Sequence, residues 1–115
     1  EILTFSKFHG DTLAIWHEGQ TRDRYEQVWC DPQKRSFLHA LWAAELNGEK
    51  CAVIGNRKDG RDLLLVRYVD GEYTVDVIDH DLGPANCMVY RHDGSDYIVA
   101  AYRETDQLAL YKVVE

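Results

Sequence analysis

Apolar residues in this chain fall in short runs of strand length, each broken by polar turn chemistry. Ile2 to Phe8, Thr12 to His17, Tyr25 to Cys30, Ala52 to Gly55, Leu63 to Tyr68, Tyr73 to Ile78, Met88 to Tyr90, Tyr97 to Tyr102 and Leu108 to Val114 all read as strands. Between them lie K-F-H-G-D, H-E-G-Q-T-R-D, R-K-D-G-R-D, V-D-G-E, R-H-D-G-S-D and E-T-D-Q, rich in residues that close tight turns. Within Y-T-V-D-V-I-D, Tyr73, Val75 and Val77 alternate with Thr74 and Asp76, the two-residue period of a half-buried strand. The best helix candidate is F-L-H-A-L-W-A-A-E, Phe37 to Glu45, which is built from good helix formers. Its place in the repeat described next makes it a strand as well.

The runs recur in register. I-L-T-F-S-K, residues 2–7, aligns without a gap on A-V-I-G-N-R, residues 52–57, and then on I-V-A-A-Y-R, residues 98–103. L-A-I-W-H, residues 13–17, aligns in the same way on L-L-L-V-R, residues 63–67, and on L-A-L-Y-K, residues 108–112. Six of these eleven columns are apolar in all three copies, where about one is expected by chance at 45% apolar content. One unit is four short strands meandering antiparallel over about 46 to 50 residues, the size and order of a propeller blade. The expected architecture is all-β, with about two and a half blades: a partial blade over 1–35, a complete one over 36–83 and a partial one over 84–115. The rival architecture for the same strand count is a ten-stranded up-and-down barrel around a small apolar ligand.

Two segments, A-E-L-N-G-E-K-C-A-V-I-G-N-R and Y-R-H-D-G-S-D-Y-I-V-A-A-Y-R, carry a family resemblance. Their spacing resembles the FG-GAP and VCBS class of propeller repeats, in which an acidic D-x-[DN]-G-D-G turn precedes D-[IL]-V-V-G; the turn chemistry here departs from that pattern. H-A-L-W and L-A-L-Y-K also resemble the propeller part of aldos-2-ulose dehydratase-like proteins. The resemblance implies a ring, and propellers close with 4–8 blades. Two and a half blades do not close, so the expectation is a piece of a longer chain or a homo-oligomer that completes the ring. In this class the turn supplies oxygen ligands for calcium, which places Glu45, Asn47 and Glu49 in ligand positions. Lys50 stands where a glycine is usual, and the matching turn reads Arg91, Asp93 and Ser95, so a solvated acidic turn is the competing reading and no other cofactor is expected.

Length and charge narrow the function. At 115 residues the chain is one domain or part of one. Thirteen Lys and Arg against twenty Asp and Glu leave a net charge of -7, the wrong sign for a nucleic-acid footprint. No apolar run approaches the ~18 residues of a membrane span, and E-I-L-T-F-S-K lacks the layout of a signal peptide. The chain opens on Glu1 instead of Met, which reads as a processed chain or an excerpt. Cys30, Cys51 and Cys87, odd in number and unevenly spaced, fit a reducing, cytoplasmic compartment.

Candidate chemistry follows the repeat. Lys7, Arg57 and Arg103 align at the exit of the second strand of each unit, so in a ring they recur around one rim. There they could hold a carboxylate, a phosphate or a sugar acid, with Asn56 and Tyr102 alongside, or pair with turn acids such as Asp59 and Glu104 of a neighbouring blade. His39 starts the innermost strand, where an imidazole could serve as a general base or a metal ligand, against the structural role that a lone His more often has. H-E-x-x-H, C-x-x-C, G-x-S-x-G and phosphate-loop motifs do not occur in the sequence. The function expected is therefore a non-catalytic module binding a carbohydrate, an anionic small molecule or a protein. The alternatives are part of a sugar-processing lyase or dehydratase-like propeller, with His39 at its centre, and the ligand-carrying barrel.

Overall fold

A computed structural model describes residues 1–6, 10–21 and 23–114. Ten strands run in chain order: β1 (Ile2–Ser6), β2 (Thr12–Glu18), β3 (Tyr25–Cys30), β4 (Leu38–Leu46), β5 (Glu49–Asn56), β6 (Leu63–Val69), β7 (Glu72–Asp79), β8 (Pro84–His92), β9 (Ser95–Tyr102) and β10 (Gln107–Lys112). No helix occurs among the described residues. The helix-prone stretch beginning at Phe37 is β4, so tertiary pairing has overridden its local preference.

The strands form three antiparallel sheets: a first sheet β1-β2-β3, a central sheet β4-β5-β6-β7 and a third sheet ordered β8-β9-β10. This corrects the barrel alternative. β3 does not pair with β4 and β7 does not pair with β8, so no sheet closes. Two separate cores take the place of one barrel interior. Leu13, Ile15, Leu38, Ala52, Ile54, Leu64 and Val66 bury one side of the central sheet against the first sheet. Ala40, Val53, Leu63, Cys87, Ile98, Ala100 and Tyr102 bury its other side against the third.

Turn chemistry explains why the strands reverse where they do. Asn47-Gly48, Asp70-Gly71 and Asp93-Gly94 each place two successive residues at positive φ, with values from 48° to 82°. That is the two-residue hairpin turn whose twist matches the flanking strands, and Asn-Gly and Asp-Gly are its preferred pairs. Register also recurs in the β1–β2, β5–β6 and β9–β10 pairs, which those turns do not join. Leu3 pairs with Ile15, Val53 with Leu65 and Val99 with Leu110, so aligned columns of the sequence face one another in all three sheets.

A second coincidence lies at the start of the innermost strands. The β4–β5 ladder skips one residue at His39, and the β8–β9 ladder skips one at Ala85, 46 positions on. The skip lets Leu38 and Ala40 enter opposite cores although they are two residues apart. Gly55 lies opposite this bulge, and a Cβ there would come within 2.7 Å of the Pro84 carbonyl oxygen and 2.9 Å of Ala40 Cβ. A larger residue would push β8 off the central sheet.

Candidate functional site

Long connections meet at one end of the central and third sheets. Residues 57–62 join β5 to β6, and residues 103–106 join β9 to β10. They are tied together through residues 80–83: the Asp81 N–H donates to the Gly60 carbonyl, the Leu82 and Gly83 N–H groups to that of Arg61, and the Arg103 N–H to that of Gly83. Asn56 anchors the first of these loops from below. Its buried amide accepts from the Phe37 N–H at 2.8 Å and donates to the Lys58 carbonyl at 3.0 Å, so its side chain is committed to the loop.

The clasp sets Phe37 beneath two cations. Arg57 Cζ lies 5.3 Å and Lys58 Nζ 5.2 Å from the Phe37 ring centroid, within range of a cation–π interaction. Arg57 Nη2 also donates to Glu104 Oε1 at 3.4 Å, an ion pair between the central and third sheets. Its buried Nε has no hydrogen-bond partner among the described residues. Phe37, Arg57, Lys58, Asp59, Arg61, Arg103 and Glu104 together line a cleft of about 550 Å³. Four cations against two carboxylates make this rim locally positive on a chain whose net charge is -7.

The structure gathers some of the residues expected from sequence and separates others. Arg57 and Arg103 share the cleft. Lys7 lies outside the described residues. Tyr102 is buried, 2% exposed, and its hydroxyl donates inward to the Tyr111 oxygen, while the Tyr111 hydroxyl donates to Asp79 Oδ2 at 2.6 Å. That bond holds the Asp79 carboxyl below its ordinary pKa, while burial and the same contact push the Tyr111 phenol well above its own. His39 stacks on Phe37 at 5.9 Å, and its Nδ1–H donates 2.8 Å to the carbonyl of Ala85, the bulge residue of the third sheet. It therefore joins the two bulges and abuts the cleft through Phe37.

Glu45, Asn47 and Glu49 stand at the other end of the central sheet. Glu45 pairs with Lys50, and Leu46 with Glu49, so side-chain alternation sends the two carboxylates to opposite faces of the hairpin. They do not converge on a cation, and no cluster of three or more His, Cys, Asp and Glu suited to a metal occurs among the described residues. The Asn47 N–H instead donates 2.8 Å to Oδ2 of buried Asp96, whose Oδ1 accepts from Arg91 Nη1 at 3.0 Å. These bonds, the one from Asn47 foremost, hold the Asp96 carboxyl below its usual pKa.

A larger groove of about 720 Å³ runs between the first and central sheets, past Leu3, Ile15, Ala44, Cys51 and Tyr73. Among the described residues the first sheet has no strand beside β1 in the position that β4 takes beside β5 and β8 beside β9. The groove's charges are mixed, with Glu1 and Glu45 against Lys50 and Arg67, so it lacks the single-sign field of the smaller cleft.

Comparison with family models, with curated proteins and with solved structures finds no match. Chemistry at the cleft is then the guide. Lys58, Arg61 and Phe37 belong to it and are not among the residues expected from the repeat. The signal was R-K-D-G-R, residues 57–61: three cations in five residues of an acidic chain. Its Asp-Gly pair marks a turn, and a repeat of apolar columns carries no information about the charge of that turn.

Proposed function

We propose that this protein is a non-catalytic binding module of propeller-type blades that holds an anionic small molecule or an acidic carbohydrate in the cleft between residues 57–61 and 103–104. The observation that carries this reading is the local reversal of charge: Arg57, Lys58, Arg61 and Arg103 line one concavity of an acidic chain. Guanidinium groups suit carboxylate and phosphate because their planar forks match two oxygens at once. Glu104 keeps Arg57 oriented, and Phe37 gives the floor an apolar face on which a sugar ring can rest. His39 serves here as a link between sheets. Support for the blade description comes from the shared register of the three sheets and from the matching bulges at His39 and Ala85.

Calorimetric titration with inorganic phosphate and with a galacturonate trimer tests the proposal. Saturable binding is expected for at least one of them, weakening as salt rises because exposed charges are screened. Arg103 is exposed, so Arg103→Ala leaves the fold intact and weakens binding roughly tenfold, the loss of one charge-assisted contact of ~1.5 kcal/mol. No saturable heat with either probe, or binding indifferent to both Arg103→Ala and Arg61→Ala, would overturn the reading.

A further inference from the structure

Corresponding positions in the three sheets meet different fates. Leu13 and Leu63 are 0% exposed, whereas Leu108, in the same column, is 77% exposed. Ile15 is 5% exposed, and its counterpart Leu110 is 58% exposed. In the first sheet this face, with Leu3, Ile15 and Leu13, packs on the central sheet; in the central sheet it is Val53, Leu65 and Leu63, which pack on the third. In the third sheet the same face carries Val99, Leu110, Leu108 and Met88 and meets no other sheet among the described residues.

The opposite face shows the complementary pattern. Ala52, Ile54 and Val66 receive the first sheet, and Ile98, Ala100 and Tyr111 receive the central one. Their counterparts in the first sheet are Ile2, Thr4 and Trp16. Ile2 pairs with Trp16, and Trp16 Nε1 donates 2.8 Å to Thr4 Oγ1, which places these residues on the side away from the central sheet. One junction type thus occurs twice among the described residues, and each of its two surfaces is left once without a partner sheet among them.

We infer that two copies of this chain associate head to tail, the open face of one copy's third sheet seated on the open face of the other's first sheet, to close a ring of six sheets. Exposed apolar faces of this kind mark interaction surfaces, and the surface that fits this one is already displayed by the chain itself. Closed rings of radially stacked sheets hold 4–8 members, and with three sheets per chain the only multiple in that range is six. The contact is heterologous, so closure at two copies also prevents open-ended growth. The inference rests on the blade reading above and on none of the cleft residues, so a failed anion titration leaves it standing.

Native mass spectrometry of the 115-residue chain, joined to circular dichroism, tests it. A mass of twice 13.3 kDa is expected. Leu110→Arg and Ile2→Lys, at exposed positions on the two open faces, should each give a folded monomer; Leu108→Lys is a second substitution on the third-sheet face. An equimolar mixture of Leu110→Arg and Ile2→Lys chains should recover a weaker pair, since one of the two junctions then has both faces intact. A monomeric parent chain or a ladder of open-ended masses would overturn the inference. So would a dimer that survives Ile2→Lys but not Leu110→Arg, because it would pair third sheets face to face.

Discussion

The central sheet is held differently on its two sides. Toward the first sheet the bond is chiefly apolar: Leu13 and Ile15 meet Ile54, Leu64 and Val66, and Trp29 leans on Tyr73 with ring centroids 5.6 Å apart. Polar ties on that side sit mainly at one end, where the Arg35 and Leu38 N–H groups donate to the Asp11 and Gly10 carbonyls. Toward the third sheet, polar links run the full length of the junction. Asn47 to Asp96 closes one end, Tyr111 to Asp79 and the Cys87 thiol to the Val53 carbonyl lie within, and Arg57 to Glu104 and His39 to Ala85 close the other. The apolar junction is tolerant of angle, whereas the hydrogen-bonded one has a single geometry. That difference explains why the cleft, which needs fixed side chains, lies at the second junction.

Adjacent residues of β5 let the two junctions be loosened separately. Ile54 is fully buried in the first core and Val53 in the second. Ile54→Ala should cost about 2–5 kcal/mol of unfolding free energy through lost burial and the cavity left behind. Amide exchange should then accelerate in β1 and β2 ahead of β8 and β9. Uniform acceleration through all three sheets would mean that the junctions act as one unit. A smaller effect on the other side is expected from Tyr111→Phe, which keeps the ring but removes the hydroxyl joining Tyr102 to Asp79. A loss of about 1–3 kcal/mol, with faster exchange in β9 and β10 and no change in β1, is the outcome that fits a hydrogen-bonded junction.

Strand positions and register were legible because they depend on local signals. Asn47-Gly48, Asp70-Gly71 and Asp93-Gly94 announce two-residue turns, and the apolar columns on either side set which residues pair. The polar links were not legible. Asp96 reads as one more turn acid in H-D-G-S-D, and only the packing of the third sheet on the Asn47 turn reveals it as a buried acceptor. Tyr102 shares a column with Asn56, which suggests a rim position, yet its ring fills the second core because two-residue alternation along β9 puts it on the buried face with Ile98 and Ala100. Arg57 and Arg103 could be placed at the same rim by counting along the repeat. Phe37 reaches them through the Asn56 clasp, a contact between residues 19 apart in sequence that no periodicity encodes.

Acid gives the smallest effect and the most selective one. Asp79 and Asp96 both hold folded-state pKa values below the ordinary 3.8, Asp79 because the Tyr111 hydroxyl donates to it and Asp96 because the Asn47 N–H and Arg91 do. His80 beside Asp79 also favours the carboxylate. In the unfolded chain these donors are gone and both groups return to about 3.8. Their contribution is therefore complete above that value and is lost as pH falls through the depressed folded values, since protonation is then easier for the unfolded chain. Both carboxylates serve the junction between the central and third sheets. On titration from about pH 5 to about pH 2, the methyl resonances of Ile98 and Ala100 should broaden or shift before those of Leu13 and Ile15. Asp96→Asn should lower stability at neutral pH and flatten the acid limb. Simultaneous loss of both methyl sets in the parent chain would show instead that the first junction has no stability apart from the second.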